Sequence, residues 1–94
     1  MFYEQTLTSF PQLARRLRSL DQDAGIRVAG RAGGRRVLAF VTRFGPRYTM
    51  MTYSVKSGTG APDRRLETLE FNSPEKVGAA LRKLTSGRLR AWLY

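Results

Sequence analysis

Two tight glycine turns constrain the fold of this chain more than any other feature of its sequence. Gly33-Gly34 and Gly45-Pro46 separate three runs of β-prone residues, at 26–31, 35–44 and 47–55. Consecutive glycines permit the positive φ angles of tight hairpins, and connections this short can only join antiparallel strands. The sequence therefore predicts an antiparallel meander. Its central strand contains the run 37–41, VLAFV, which is apolar on both faces.

A first helix is predicted from its start signal and its leucine spacing. Ser9 and Gln12 have the S-x-x-Q spacing of a capping box, and Pro11 falls in the first turn, where proline is tolerated. Leucines then recur at 13, 17 and 20, as on one face of a helix. We expect a helix over 9–20. The β-prone residues at 2–7 predict a short strand before it.

A similar strand and helix are predicted near the C-terminal end of the sequence. The run 66–71 alternates like a half-buried strand, and Asn72 or Ser73 can cap a helix that starts with Pro74. Apolar residues at 77, 80, 81 and 84 predict a helix over 74–84. The segment 57–65 has the composition of a flexible hairpin tip. Residues 88–94 could add a last short strand.

These elements predict a single α+β domain over residues 1–94, in the order β-α-β-β-β-β-α-β. A chain of 94 residues supports one hydrophobic core rather than two. We expect two layers, an antiparallel sheet of about four to six strands with both helices packed on one of its faces. The other face would then stay open, as antiparallel sheets allow.

The charge of the chain is strongly positive and unevenly distributed. Seventeen basic and seven acidic residues give a formal net charge of +10. No acid occurs between Asp23 and Asp63, a stretch that carries seven basic residues. Such a stretch attracts polyanions because it cannot neutralise itself locally. A genome-wide bias towards arginine is the alternative explanation, but it does not account for the missing acids.

Aromatic residues accompany the arginines on the predicted strands, which favours a nucleic-acid-binding function. Bases stack on aromatic rings while guanidinium groups contact phosphates, so an open sheet face of this kind suits single-stranded nucleic acid. Tyr48 and Tyr53 are an odd number of residues apart, so a regular strand should place only one of them on that face. The predicted nucleic-acid-binding residues, including an arginine-rich hairpin, are Arg27, Arg31, Arg35, Arg36, Arg43, Arg47, Tyr48, Tyr53 and Lys56.

The absence of cysteine and histidine narrows the remaining function classes. It excludes disulfides and thiolate chemistry, and it removes the commonest zinc ligands and proton shuttle. We therefore expect no catalytic residue, no metal and no cofactor. No apolar run approaches the ~20 residues that span a bilayer, and the first ten residues do not resemble a signal peptide. A cytoplasmic protein without membrane contact is the expectation.

Two other function classes stay open at this point. One is a small protein-binding inhibitor or adaptor that acts on a larger nucleic-acid-processing machine. The other is a histidine-free endoribonuclease, in which Arg43, Arg47 or Tyr53 would position RNA. The apolar residues around Trp92 also raise a homodimer contact as an expectation. The sequence does not distinguish DNA from RNA.

Overall fold

The computed structural model describes residues 5–85 and 89–93. Its elements are β1 (Gln5–Leu7), α1 (Phe10–Arg18), β2 (Gly25–Ala32), β3 (Arg35–Phe44), β4 (Arg47–Val55), β5 (Pro62–Phe71), α2 (Pro74–Thr85) and β6 (Ala91–Leu93). The predicted order of strands and helices is confirmed. The expectations for residues 2–4, 88 and 94 lie outside the described part of the chain.

The six strands form one antiparallel sheet in the order β1-β6-β2-β3-β4-β5. The meander from β2 to β5 occupies consecutive positions, and β6 lies between β2 and β1. Leucines of α1 and apolar residues of α2 join the strand residues in one buried cluster, which includes Leu13, Leu17, Ile26, Val28, Val41, Val77 and Leu81. The fold is thus the predicted two-layer α+β arrangement, with the core between the helices and one face of the sheet.

Both glycine turns adopt the hairpin geometry that their sequences predict. Gly33 and Gly34 have φ angles of 59° and 79°, positive at both central positions as in a type I′ turn. Gly45 has a φ of 59°, and the ring of Pro46 fixes a negative φ at the next position. That is the type II′ pattern, so both turns match the twist of the strands they join.

The start of α1 follows the predicted capping signal with one difference. The Ser9 hydroxyl accepts a hydrogen bond from the Gln12 N–H at 3.3 Å. The side-chain oxygen of Gln12 accepts from the backbone N–H of Thr8 at 3.0 Å, rather than from Ser9 as in the usual capping box. At α2, the Ser73 hydroxyl accepts from the Lys76 N–H at 3.2 Å, which identifies Ser73 as the cap.

β5 is longer than predicted, so the loop that was expected over 57–65 is shorter in the structure. It begins at Pro62, and its first residues pair with β4 through a register shift on either side of Tyr53. The Ser54 hydroxyl accepts from the Arg64 N–H at 3.1 Å and donates to the Arg64 carbonyl at 3.4 Å. With a bulge of this kind, strand pairing continues into exposed polar residues. Hydropathy alone does not predict such pairing.

Candidate nucleic-acid interface

Strand register assigns the residues of the meander to one or the other face of the sheet. Ala39 and Val41 are buried under the helices, so Phe40 between them points to the opposite side. Directly paired residues on neighbouring strands share a face. We call this helix-free side the open face; its residues include Arg27, Ala29, Arg31, Arg36, Leu38, Phe40, Met51, Tyr53 and Trp92.

One row of side chains crosses the open face through four neighbouring strands. Trp92 on β6 pairs with Arg27 on β2, Arg27 with Phe40 on β3, and Phe40 with Met51 on β4. We call these four residues the central row. Each of them is partly exposed. The row therefore combines two aromatic rings, a thioether and a guanidinium on a surface that solvent reaches.

Ring contacts hold the aromatic residues of the open face in place. The rings of Phe40 and Tyr53 meet edge to face, with centroids 5.5 Å apart and planes at 87°. The guanidinium carbon of Arg27 lies 5.0 Å from the centroid of the Trp92 ring, within the range of a cation–π contact. These contacts arrange three rings across the open face.

A groove of about 760 Å³ crosses the open face towards the β2–β3 hairpin. Ala29 and Leu38 contribute to its floor, Trp92 borders it on β6, and residues 59–62 of the β4–β5 hairpin border it on the other side. Four arginines line the groove: Arg27, Arg31, Arg36 and Arg90. Asp and Glu are absent from its lining, as far as residues 5–85 and 89–93 show. The groove is therefore open to water, and all the charged side chains that line it in the described part of the chain are positive. It also reaches the C-terminal end of α2, where Leu84 and Thr85 line it.

Two of these arginines face each other directly. Arg31 and Arg36 are cross-strand partners near the tip of the β2–β3 hairpin, and both are exposed. A guanidinium nitrogen of Arg31 donates to the Gly34 carbonyl at 3.5 Å. Like charges in directly opposed positions destabilise a sheet, so a bound anion would relieve this repulsion.

The predicted site residues divide into those the structure brings together and those it does not. Arg27, Arg31, Arg36 and Tyr53 share the open face. Arg35 is exposed on the same hairpin but pairs with Ala32, on the alternate face. Lys56 is exposed in the β4–β5 hairpin loop. Arg47 also lies on the open face, because it pairs with Phe44, but it is exposed at the opposite end of β4 from the groove.

Arg43 and Tyr48 lie on the helix side of the sheet, away from the open face. Tyr48 is only 2% exposed, and its hydroxyl donates to the Leu17 carbonyl at 2.6 Å. Arg43 donates to the Arg18 carbonyl at 2.9 Å and lies 5.1 Å from the Tyr48 ring. Since the last carbonyls of a helix have no partner inside it, these two side chains complete the C-terminal end of α1.

Phe40, Arg90 and Trp92 are residues of the open face that were not among the predicted site residues. Phe40 could have been found by alternation within the run VLAFV, whose other members are divided between the two faces. Arg90 and Trp92 reach the face only because β6 inserts between β1 and β2. No local pattern in the sequence indicates that position, because it depends on pairing between distant segments.

Neither protein-family models, nor curated proteins, nor solved structures gave a match to this chain. Within the described residues, no group of three or more acidic side chains is placed to hold a metal ion. No helix in that part of the chain is long and apolar enough to cross a membrane. The chemistry of the open face is therefore the feature of this protein that bears on its function.

Proposed function

We propose that this protein binds single-stranded nucleic acid on the open face and has no enzymatic activity. The observation that supports this most is the position of the aromatic central row beside a groove lined by four arginines and no described acid. Bases stacked on such rings contribute about 1–3 kcal/mol each. Arginine adds bidentate contacts to phosphate oxygens.

The partly exposed rings of the open face favour a single strand over a duplex. In a double helix the bases are stacked on each other and paired, so flat rings on a sheet cannot reach them. In a single strand the bases can splay out and stack on Phe40 and Trp92. The groove then receives the backbone, whose phosphates carry the charge that Arg31 and Arg36 attract.

The electrostatic part of this binding has a measurable signature. Each phosphate neutralised on a single strand contributes about −0.7 to the slope of log K against log salt, so four contacts would give about −3. Four arginines line the groove. A steep loss of affinity with salt is therefore required by the proposal.

The test compares two double variants that each remove two positive charges. Arg31→Gln/Arg36→Gln removes charge from the groove, and Arg15→Gln/Arg18→Gln removes it from the exposed surface of α1. Fluorescence anisotropy with short single-stranded and duplex oligonucleotides over a salt series gives the affinities. We expect the groove variant to reduce the salt slope by about 1.4 and the α1 variant to leave it nearly unchanged.

Two outcomes would reject the proposal. One is the absence of single-strand binding by the unmodified protein even at low salt. The other is an equal loss in the two double variants, because binding would then follow total charge rather than the groove.

A protein partner is the second candidate, favoured by the apolar side chains of Leu38 and Met51 on the same face. In a pull-down, a complex that survives nuclease treatment would support this alternative.

The main proposal also includes a cytoplasmic location. A homodimer that uses Trp92 stays a prediction, and it would compete with bases for this ring. Sedimentation with and without oligonucleotide tests it.

A further inference from the structure

β5 forms one edge of the sheet, and among the described residues no strand pairs with its outer side. It is ten residues long, and all of its residues except Leu69 and Phe71 are exposed. The strand at the other edge, β1, has three described residues. Because the outer N–H and C=O groups of an edge strand can pair with another strand, β5 offers a long surface for such pairing.

β5 carries charges of both signs in a segregated order. After Asp63, the two arginines Arg64 and Arg65 precede the two glutamates Glu67 and Glu70. Within residues 5–85 and 89–93, these side chains form no ion pair. Antiparallel pairing of two copies of β5 sets the arginines of one strand against the glutamates of the other, whereas parallel pairing would align like charges.

The register shift between β4 and β5 determines which of these charges can meet. Thr49 and Tyr53 lie on the open face, since both are an even number of residues from Met51. Glu70 pairs with Thr49, and Arg65 pairs with Tyr53. Residues five apart on an unbroken strand would face opposite sides. The extra residue at the register shift therefore brings Arg65 to the same face as Glu70.

We propose that β5 pairs antiparallel with β5 of a second copy of this chain, about a two-fold axis at Thr68. Glu70 lies two positions after Thr68, and Arg65 lies two positions before it once the extra residue is discounted. Arg65 of each copy is therefore opposite Glu70 of the other copy, on the same face. Opposite charges in such cross-strand positions stabilise the pairing, and the symmetry supplies two of these ion pairs.

This dimer leaves the groove accessible. The two-fold axis is perpendicular to the sheet, so the two sheets become continuous and both open faces lie on the same side. The paired segment, residues 65–71, contributes no residue to the groove lining. Pairing through β5 is therefore independent of strand binding, and it does not involve Trp92.

The charge experiment reverses each member of the ion pair. Arg65→Glu or Glu70→Arg alone places like charges opposite each other, so each should raise the dissociation constant of the dimer about tenfold. The double variant Arg65→Glu/Glu70→Arg keeps the net charge of the unmodified protein and restores opposite charges, so it should dimerise like the unmodified protein. An equimolar mixture of the two single variants should also dimerise. Sedimentation of nuclease-treated protein at concentrations up to about 1 mM measures the constants.

The crosslinking experiment tests the position of the axis. The chain has no cysteine, so Thr68→Cys introduces a single thiol that lies opposite the same thiol of the second copy. Mild oxidation should then give a disulfide-linked dimer. Asp63→Cys is the matched control, because Asp63 is exposed on the same strand but would lie more than about 20 Å from its symmetry mate. It should give little linked dimer. Circular dichroism verifies that all the variants are folded.

The outcomes that would overturn this inference do not affect the proposed function. One is a protein that stays monomeric at the highest concentration, or a dimer that nuclease treatment removes. Another is equal crosslinking of the two cysteine variants, since the disulfides would then come from random collisions. A dimer that survives both charge reversals but is lost in Trp92→Leu would assign the contact to β6 instead.

Discussion

Arg27 and Trp92 face each other across β2 and β6, with the guanidinium carbon 5.0 Å from the centroid of the indole ring. Such a contact contributes about 0.5–1 kcal/mol at an exposed site. It orients the ring and adds positive charge to the central row. β6 therefore contributes to the candidate interface as well as joining β1 to β2 in the sheet.

Replacing Trp92 tests whether its ring stacks on a base. Trp92→Leu keeps an apolar side chain in β6 but removes the stacking surface, so single-strand affinity should fall about 5- to 150-fold, the equivalent of 1–3 kcal/mol. Trp92→Phe should keep most of the affinity. Anisotropy titrations at fixed salt provide the measurement.

The control for Trp92 is Phe44→Leu, which removes an aromatic ring that is 74% exposed at the other end of the sheet. It should leave the affinity unchanged, because Phe44 is not part of the groove lining. A comparable loss in both variants would mean that general aromatic exposure, rather than the central row, determines binding.

Tyr48→Phe should lower stability without affecting the open face. It removes the hydroxyl that donates to the Leu17 carbonyl at 2.6 Å and leaves that buried acceptor unpaired. The free energy of unfolding should fall by about 1–3 kcal/mol, measured by urea denaturation. Single-strand affinity, determined under conditions where the variant is folded, should not change.

Tyr53→Phe is the matched change on the opposite face. Its hydroxyl donates to the Met51 sulfur at 3.8 Å, and sulfur is a weak acceptor, so stability should change by less than about 0.5 kcal/mol. If Tyr53→Phe cost as much as Tyr48→Phe, the assignment of the Tyr48 hydroxyl to the end of α1 would be wrong.

Gly30→Ala should destabilise the protein because α2 approaches β2 closely at this position. A Cβ on Gly30 would lie 2.7 Å from both the Cγ and the carbonyl oxygen of Leu84. The side chain could rotate away, but the backbone oxygen moves only with the end of the helix. We expect a loss of about 1–3 kcal/mol in the free energy of unfolding.

Gly78→Ala, within α2, is a control that should raise the free energy of unfolding instead of lowering it. A Cβ there would meet nothing within 4 Å, and alanine is favoured over glycine in a helix by about 0.5–1 kcal/mol. Thermal unfolding of the two variants should therefore show one lower and one higher midpoint. Stabilisation by Gly30→Ala would show that the contact with Leu84 is not close.

The order of elements was predictable because each signal is local. Glycine turns and the Ser9 cap depend on a few neighbouring residues, and all of them occur where expected. The start of β5 was not predictable, since it depends on Ser54 bonding to Arg64 across a bulge. The hydropathy of the sequence does not indicate strand pairing of this kind.

For the candidate site, the sequence could predict alternation but not strand order. The odd spacing of Tyr48 and Tyr53 correctly implied opposite faces. Which of the two is buried follows from where α1 packs, and the position of Trp92 beside Arg27 follows from β6 pairing with β2. Both depend on contacts between distant parts of the chain, so the sequence did not place residues 89–93 among the nucleic-acid-binding residues.

Arg36→Glu should raise stability while it weakens binding. It converts the like-charge pair with Arg31 into an opposite-charge pair, which should add about 0.2–1 kcal/mol to the free energy of unfolding. The gain should shrink at high salt, where exposed charges are screened. Single-strand affinity should fall, because the groove gains a negative charge beside the phosphates.

The contrasting variant is Arg35→Glu, one residue earlier on the same hairpin. Arg35 pairs with Ala32 rather than with an arginine, so the same charge change should give no comparable stabilisation and a smaller loss of affinity. Urea denaturation at low and high salt, combined with anisotropy titrations, measures both effects. If Arg36→Glu and Arg35→Glu had the same effect on stability and on affinity, Arg31 and Arg36 would not form an anion-binding pair. A stability gain that accompanies lost binding is the pattern expected of a functional site whose charges are arranged for a ligand rather than for the fold.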